Sequence, residues 1–272
     1  LMRRQTNNPK GSAKLNPGLA LLALAGFLVL ALPVLALLTR VPWSSFFEIA
    51  VSKSVLLALE VSVVTSTISA VISVFLGVPL AWYLARGPQA RTRWIRPIVI
   101  APLVMPPTVS GIALLTLMGR NGMFGKYIYE ATGYSMPFTT TAVIVSGIFV
   151  GMPFLVLVLE SAFRQTPIEV EEAAATLGAP PAKVFWRISL PLAKSGLIAG
   201  AVLAWARALG EFGATLMFAG SLPGVTRTMP MAVYSAIESD QGSAFVVSAI
   251  LLAVAILVVF FLRSNLIKTF SR

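Results

Sequence analysis

The chain has no cysteine and no histidine among its 272 residues. The first absence excludes disulfides and thiolate chemistry, the second imidazole acid–base catalysis, and together they remove the usual ligands of a zinc site. Charge is scarce too. Asp, Glu, Lys and Arg make up 11% of the residues, where a soluble domain carries about 25%, so charge cannot cover a water-facing surface. The ten acidic residues lie mostly near the ends of apolar stretches. A catalytic constellation within this chain is therefore not expected, and neither is a resident metal or cofactor.

Apolar residues fill the space that charge leaves. They make up 57% of the chain, and the mean hydropathy is +0.87. A bilayer core of about 30 Å needs roughly 20 apolar helical residues. Six stretches meet that length: Leu19–Leu38, Ser54–Leu84, Ile98–Met118, Phe138–Leu159, Leu192–Ala219 and Ala244–Leu262. They are continuous runs rather than short alternating ones, which argues against a membrane β-barrel. The expected fold class is an all-α membrane protein with six transmembrane helices. Arg3 and Arg4 precede the first stretch in the manner of a signal peptide, but no small-x-small cleavage site follows before Arg40, so an uncleaved first span is expected.

The basic residues orient these spans. With the N-terminus inside, fifteen of the 21 Lys and Arg fall on the cytoplasmic side, from Arg3, Arg4, Lys10 and Lys14 to Arg263, Lys268 and Arg272. Arg40, Lys53, Arg120, Lys126 and Arg227 fall outside, and Arg207 lies within a span. The bias places both termini in the cytoplasm. It also explains the +11 net charge without nucleic acid, since no basic face interleaved with aromatics exists.

Packing signals run through the spans. Gly147 and Gly151, and likewise Gly196 and Gly200, put small residues one turn apart, where helix backbones can approach closely in lipid. Gly77 and Pro79 predict a kink in the second span.

Residues 161–191 form the longest polar-bearing insert of the second half. Thr166-Pro167 reads as a helix start with proline at the first position. Glu169, Glu171 and Glu172 favour the positive end of its dipole, and Ala173, Ala174 and Ala175 propagate it. Gly178 ends it. Pro180 and Pro181 start a second short helix carrying Val184, Phe185, Trp186 and Ile188, and Leu190-Pro191 leads into the fifth span. The product is a helix–turn–helix on the cytoplasmic face. Two uses fit it equally: insertion into a groove of a partner protein, or rest on lipid headgroups.

Glu172-Ala173-Ala174, three residues, Gly178, nine residues, Ile188, one residue and Leu190-Pro191 resemble the EAA loop of binding-protein-dependent ABC importer permeases. The resemblance implies a type I importer fold as a single permease domain over 1–272, with cytoplasmic tails at 1–18 and 263–272 and a coupling loop at 161–191. It implies that Glu169, Glu172, Ala173, Ala174, Gly178, Ala179, Phe185, Ile188, Leu190 and Pro191 dock onto a separate ATPase subunit, one of two. ATP and Mg2+ would be bound there, because no phosphate-binding loop exists in this chain. The nearest stretch, Gly119 to Gly125-Lys126-Tyr127, has the wrong glycine spacing and Tyr where magnesium needs Ser or Thr.

Two further stretches bear on cargo. Arg207 lies about 20 Å into the fifth span at 1.5 Å per residue, a depth at which an ionisable group marks function by default. Glu211, one turn on, can pair with it, and the pair equally could serve only to pin helices. Gly210 and Gly213 could form a hinge, with Thr215 beyond. In the third span, Pro106 and Pro107 break the helix ladder. Broken backbone at that depth lines a cavity or is buried in protein, so Thr108 and Ser110 could face an oxyanion path, or the prolines could serve packing alone. Residues 208–215, 218–224 and 228–230, with Pro106–Gly111 and Gly119–Gly122, resemble molybdate/tungstate permeases. Sulfate and thiosulfate permeases share the 207–213 core. The resemblance implies a homodimer in the bilayer, an external molybdate/tungstate-binding protein as partner, and a plasma-membrane location. The competing class is a secondary transporter or channel that works without an ATPase, or a membrane scaffold that transports nothing.

Overall fold

The structure is a computed structural model and describes residues 17–270, with side chains to residue 258 and at Phe260. Arg3, Arg4, Lys10, Lys14 and Arg272, with most of the 1–18 tail, lie outside the described residues, as do the side chains of the 263–272 tail. The described residues are helical, with no strand among them. They fall into two units, residues 1–41 and 42–272.

The first unit holds α1, Pro17–Thr39. Its 23 residues have a mean hydropathy of 2.8 over the most apolar window, and Pro33 lies inside it without ending it.

The second unit is built on α3, Lys53–Arg86, and α7, Thr140–Gln165. α3 runs without a break through Gly77 and Pro79. The glycine serves close approach: a Cβ there would come within 2.9 Å of Leu155 on α7. In lipid, apolar surface gives helices no reason to associate, so contact depends on small residues and interhelical hydrogen bonds. α3 buries Ser62, Ser66, Ser69 and Ser73 along one stripe. The Ser69 hydroxyl donates to the Ile144 carbonyl of α7 at 2.9 Å. Opposite it, a Cβ on Gly147 would meet Ser69 Oγ at 2.5 Å.

α11, Lys194–Leu209, joins the same seam. Cβ atoms on Gly151 and Gly196 would stand 2.7 Å from the Ala204 carbonyl and 2.3 Å from Ala162 Cβ. The spacing of both glycine pairs thus marks true contact faces. Leu84, Val156, Leu159, Phe163 and Ala193 form the buried cluster at the Arg86 end of this bundle, while Val55, Ala58, Met229 and Val247 form one at the Lys53 end.

Among the described residues, four helices are long and apolar enough to cross a membrane: α1, α3, α7 and the first part of α14, Gln241–Phe270. Two bent pairs raise the number to as many as six if each is one span. One pair corrects the expected single span Ile98–Met118. There α4, Gln89–Val104, and α5, Pro107–Met118, meet at 118°. Met105 and Pro106 are extended, as the residue before a proline prefers. The expected span Leu192–Ala219 is divided as well. α11 ends at Leu209, and α12, Gly213–Ala219, follows after three residues.

Short helices fill regions that read as loops. These are α2, Phe46–Ala50, α6, Gly125–Thr132, and α13, Met229–Ser239. The first N–H of α13, on Met229, donates to Ser62 Oγ of α3 at 2.7 Å. Asp240 caps α14, and hydrogen bonds from the Ser243 hydroxyl and from the Ser243 and Gly242 N–H groups hold its carboxyl below the usual carboxylate range.

A rigid helical loop and two broken helices

The 161–191 insert begins five residues later than expected, because α7 continues to Gln165. Pro167 sits at the cap position rather than inside the helix, and α8 spans Ile168–Thr176. Gly178 adopts a left-handed φ of 82°. Its N–H donates to the Ala175 carbonyl at 2.9 Å, and the Ala179 N–H donates to the Ala174 carbonyl at 3.0 Å. This is a Schellman closure, which needs a residue that tolerates positive φ. α9, Pro181–Val184, starts with proline at its first position. A π-helical turn, Phe185–Ser189, then passes to α10, Leu190–Leu192, and the chain bends 75° into α11.

The loop is fastened at both ends. Phe185 packs edge-on against Trp82 of α3 at 5.5 Å between ring centroids and tilts against Phe163 of α7 at 6.4 Å. Val184 and Ser189 are buried. At the other end, Glu171 is turned inward onto Arg86, 3.0 Å away. Next to it, two arginines share Glu160 at 2.8 and 3.0 Å, Arg96 from α4 and Arg164 from α7. Both also donate to the Leu84 carbonyl, at 2.9 and 3.1 Å, so the open last turn of α3 is satisfied by charged donors.

The expected docking residues divide between two faces. Glu169, Glu172, Ala173, Gly178 and Pro191 are exposed, whereas Ala174, Ala179, Phe185, Ile188 and Leu190 are half-buried, and Phe185 and Leu190 pack against the bundle's core. The same loop exposes two large apolar side chains absent from the expected set, Leu177 at 88% exposure and Trp186 at 64%. A groove of about 260 Å³ lies under α8, lined by Trp82, Arg86, Ile168, Ala175, Ala179 and Val184.

The two path stretches converge. A Cβ on Gly213 would stand 2.4 Å from Pro107 Cβ, and one on Gly111 would stand 2.5 Å from Met217 Cβ. The starts of α5 and α12 therefore lie side by side and point the same way. Pro106, Pro107 and Thr108 are exposed there. Ser110 and Thr215 are buried within the fold, and the Ser110 hydroxyl donates back to the Pro106 carbonyl at 3.4 Å.

Glu211 is 3% exposed and answers two groups at once. One oxygen lies 2.5 Å from Arg207 Nη1, and the other accepts from the Ala214 N–H at 2.8 Å. Its carboxylate thus caps α12 and neutralises Arg207. Gly210 has φ −87°, within the range of any residue, so the break is built by Glu211 rather than by glycine freedom. Gly213 serves the approach to Pro107. An apolar cavity of about 450 Å³ flanks the break, lined by Trp205, Leu209, Gly210, Val233, Leu252 and others. The Gly119–Lys126 stretch carries no phosphate loop. Lys126 lies on α6 and pairs with Glu130 at 3.8 Å.

This architecture recurs in solved transporters. A chain in the crystal structure of a bacterial alginate ABC transporter, in complex with an alginate pentasaccharide-bound periplasmic protein, superposes with a TM-score of 0.72 over 90% of this chain and 91% of its own, at 16% identity. The chain therefore shares the fold of that transporter chain. Residues 73–272 match the family described as binding-protein-dependent transport system inner membrane component, and the chain belongs to that family. The molybdenum transport system permease protein ModB of Mycobacterium tuberculosis is 47% identical over 87% of this chain and 89% of its own length. The probable sulfate transport system permease protein cysT of Chlorokybus atmophyticus is 31% identical over 86% and 83%.

Proposed function

We propose that this chain is the membrane-spanning subunit of an ATP-driven importer of molybdate, with tungstate as an equivalent cargo. The observation that carries the reading is the 166–192 loop. It is closed by Gly178, tied down through Glu171 and Phe185, and presents Glu172, Ala173, Leu177 and Trp186 outward. A helix pair that exposes both charge signs beside large apolar side chains suits a groove on a second protein, and its exposed Glu169 and Glu172 balance Lys183 and Arg187, so no net positive charge draws it to anionic headgroups.

In this reading both termini and the loop face the cytoplasm. Two ATPase subunits bind ATP and Mg2+, and two copies of this chain form the path. An external binding protein delivers the oxyanion. Closure of the ATPase pair draws the two loops together and opens the path outward. The exposed backbone at Pro106–Thr108 lines that path, and the neutralised Arg207–Glu211 pair leaves no fixed charge to trap a dianion. Weak binding along the path favours release.

The molybdenum-transport relative at 47% identity supports the cargo. Sulfate is the second reading, favoured by the sulfate-transport relative at 31%. Both are tested by uptake into proteoliposomes holding this chain, its ATPase and its binding protein. Expected is ATP-dependent molybdate uptake that excess tungstate abolishes and excess sulfate does not. Uptake without the ATPase would replace the reading with a secondary transporter, and competition by sulfate alone would replace the cargo.

A further inference from the structure

Arg86 is the last residue of α3, and its guanidinium faces the docking loop. Nε donates to both Glu171 oxygens, at 3.1 and 3.3 Å. Nη2 donates to Glu171 Oε1 at 3.0 Å and to the Thr166 carbonyl at 2.9 Å. Thr166 is the residue that closes α7. One side chain therefore joins the end of α3, the end of α7 and the first turn of α8. Both charged partners are nearly buried, with side-chain exposures of 12% and 11%. Among the described residues, no other side chain from outside the loop hydrogen-bonds to α8.

α3 is a suitable rod for what Arg86 holds. It runs 34 residues, about 50 Å at 1.5 Å per residue. At its far end Val55 and Ala58 pack against α13 and α14, and Ser62 holds the first N–H of α13. α8 itself is bounded by Pro167 and by the left-handed Gly178, so without the clamp it is held through the chain at its ends and through its packing on α9 and the π-helical turn.

We infer that Arg86 is a positioning residue that passes the movement of the docking loop into α3, so that ATP use and transport stay linked. This rests on the docking reading above. The planar guanidinium meets three acceptor oxygens at once, which a lysine ammonium on a flexible stem does not reproduce. Removing either partner leaves the other charge buried and unanswered. The outward face of the loop is untouched by such a change, so the ATPase still docks, but its stroke turns α8 without moving α3.

The test uses the assembled complex in proteoliposomes with molybdate. In R86K and E171Q, co-purification of the ATPase and the rate of ATP hydrolysis are expected to match wild type, while molybdate imported per ATP falls roughly tenfold. The exchange R86E/E171R is expected to recover part of that ratio. An unchanged ratio in both single variants overturns the inference. So does failure of both to assemble, which would make the pair a folding requirement only. Wild-type vesicles that fail to bind the ATPase would instead defeat the docking reading, and this inference with it.

Discussion

Arg86 takes Glu171, 3.0 Å away, and leaves Glu172 pointing outward. Adjacent residues on a helix differ by about 100° in direction, so two consecutive acids serve two bodies. The first holds the loop to its own bundle. The second is free for a partner. An acidic pair that reads as one feature in the sequence is thus an anchor beside a contact.

Gly178→Ala should loosen the loop without touching its outward face. The left-handed φ of 82° costs a residue with a Cβ about 1–2 kcal/mol, and nothing else lies within 4 Å of the added atom. Hydrogen exchange at Ala174–Ala179 should accelerate severalfold, with the thermal midpoint of the bundle unchanged. Protection equal to wild type would contradict the Schellman closure.

Trp186→Ala should weaken ATPase binding by about 2 kcal/mol, the scale of an aromatic contact at the centre of an interface. Trp186 is 64% exposed and meets Phe185 edge to face at 5.0 Å, so the fold should survive. Titration of the purified ATPase against the variant in nanodiscs reads the change. An affinity within twofold of wild type would remove Trp186 from the contact.

Arg207→Gln should destabilise by about 3 kcal/mol, because it leaves the buried Glu211 charge without its partner. The double variant R207Q/E211Q should recover most of that loss, since an amide oxygen still accepts from Ala214. Unfolding midpoints in detergent test this. Import retained by the double variant is expected if the pair only builds the break. Import lost at full stability would place Arg207 against the anion.

Gly151→Ala should cost about 1–3 kcal/mol through overpacking, since its Cβ would stand 2.7 Å from the Ala204 carbonyl of α11. Gly210→Ala, 3.5 Å from the nearest atom, should be tolerated. A severe effect at 210 with normal stability would restore the hinge reading of that glycine.

Much of this was legible because membrane physics writes plainly. Apolar runs located α3, α7 and α14, and glycine spacing located real contact faces. The loop's prolines and Gly178 set its boundaries to within a few residues. Three things were hidden. The α4–α5 bend was not visible, because two prolines announce a break but not an angle of 118°. The serine stripe of α3 carries no partner in the sequence, whereas the structure turns Ser69 to α7 and Ser62 to α13. The roles of Arg86 and Arg96 read as positive-inside charge alone, since their partners Glu171 and Glu160 lie 85 and 64 residues away in sequence.

The absence of cysteine makes the central claim directly measurable. Leu177→Cys places a unique thiol on the tip of the loop, at a side chain 88% exposed. Gly133→Cys places one at the exposed turn after α6, outside the loop. With a short thiol-directed photocrosslinker on each, position 177 should capture the ATPase subunit and position 133 should not. A crosslink to the ATPase from 133, or none from 177 in a complex that hydrolyses ATP, would contradict the account.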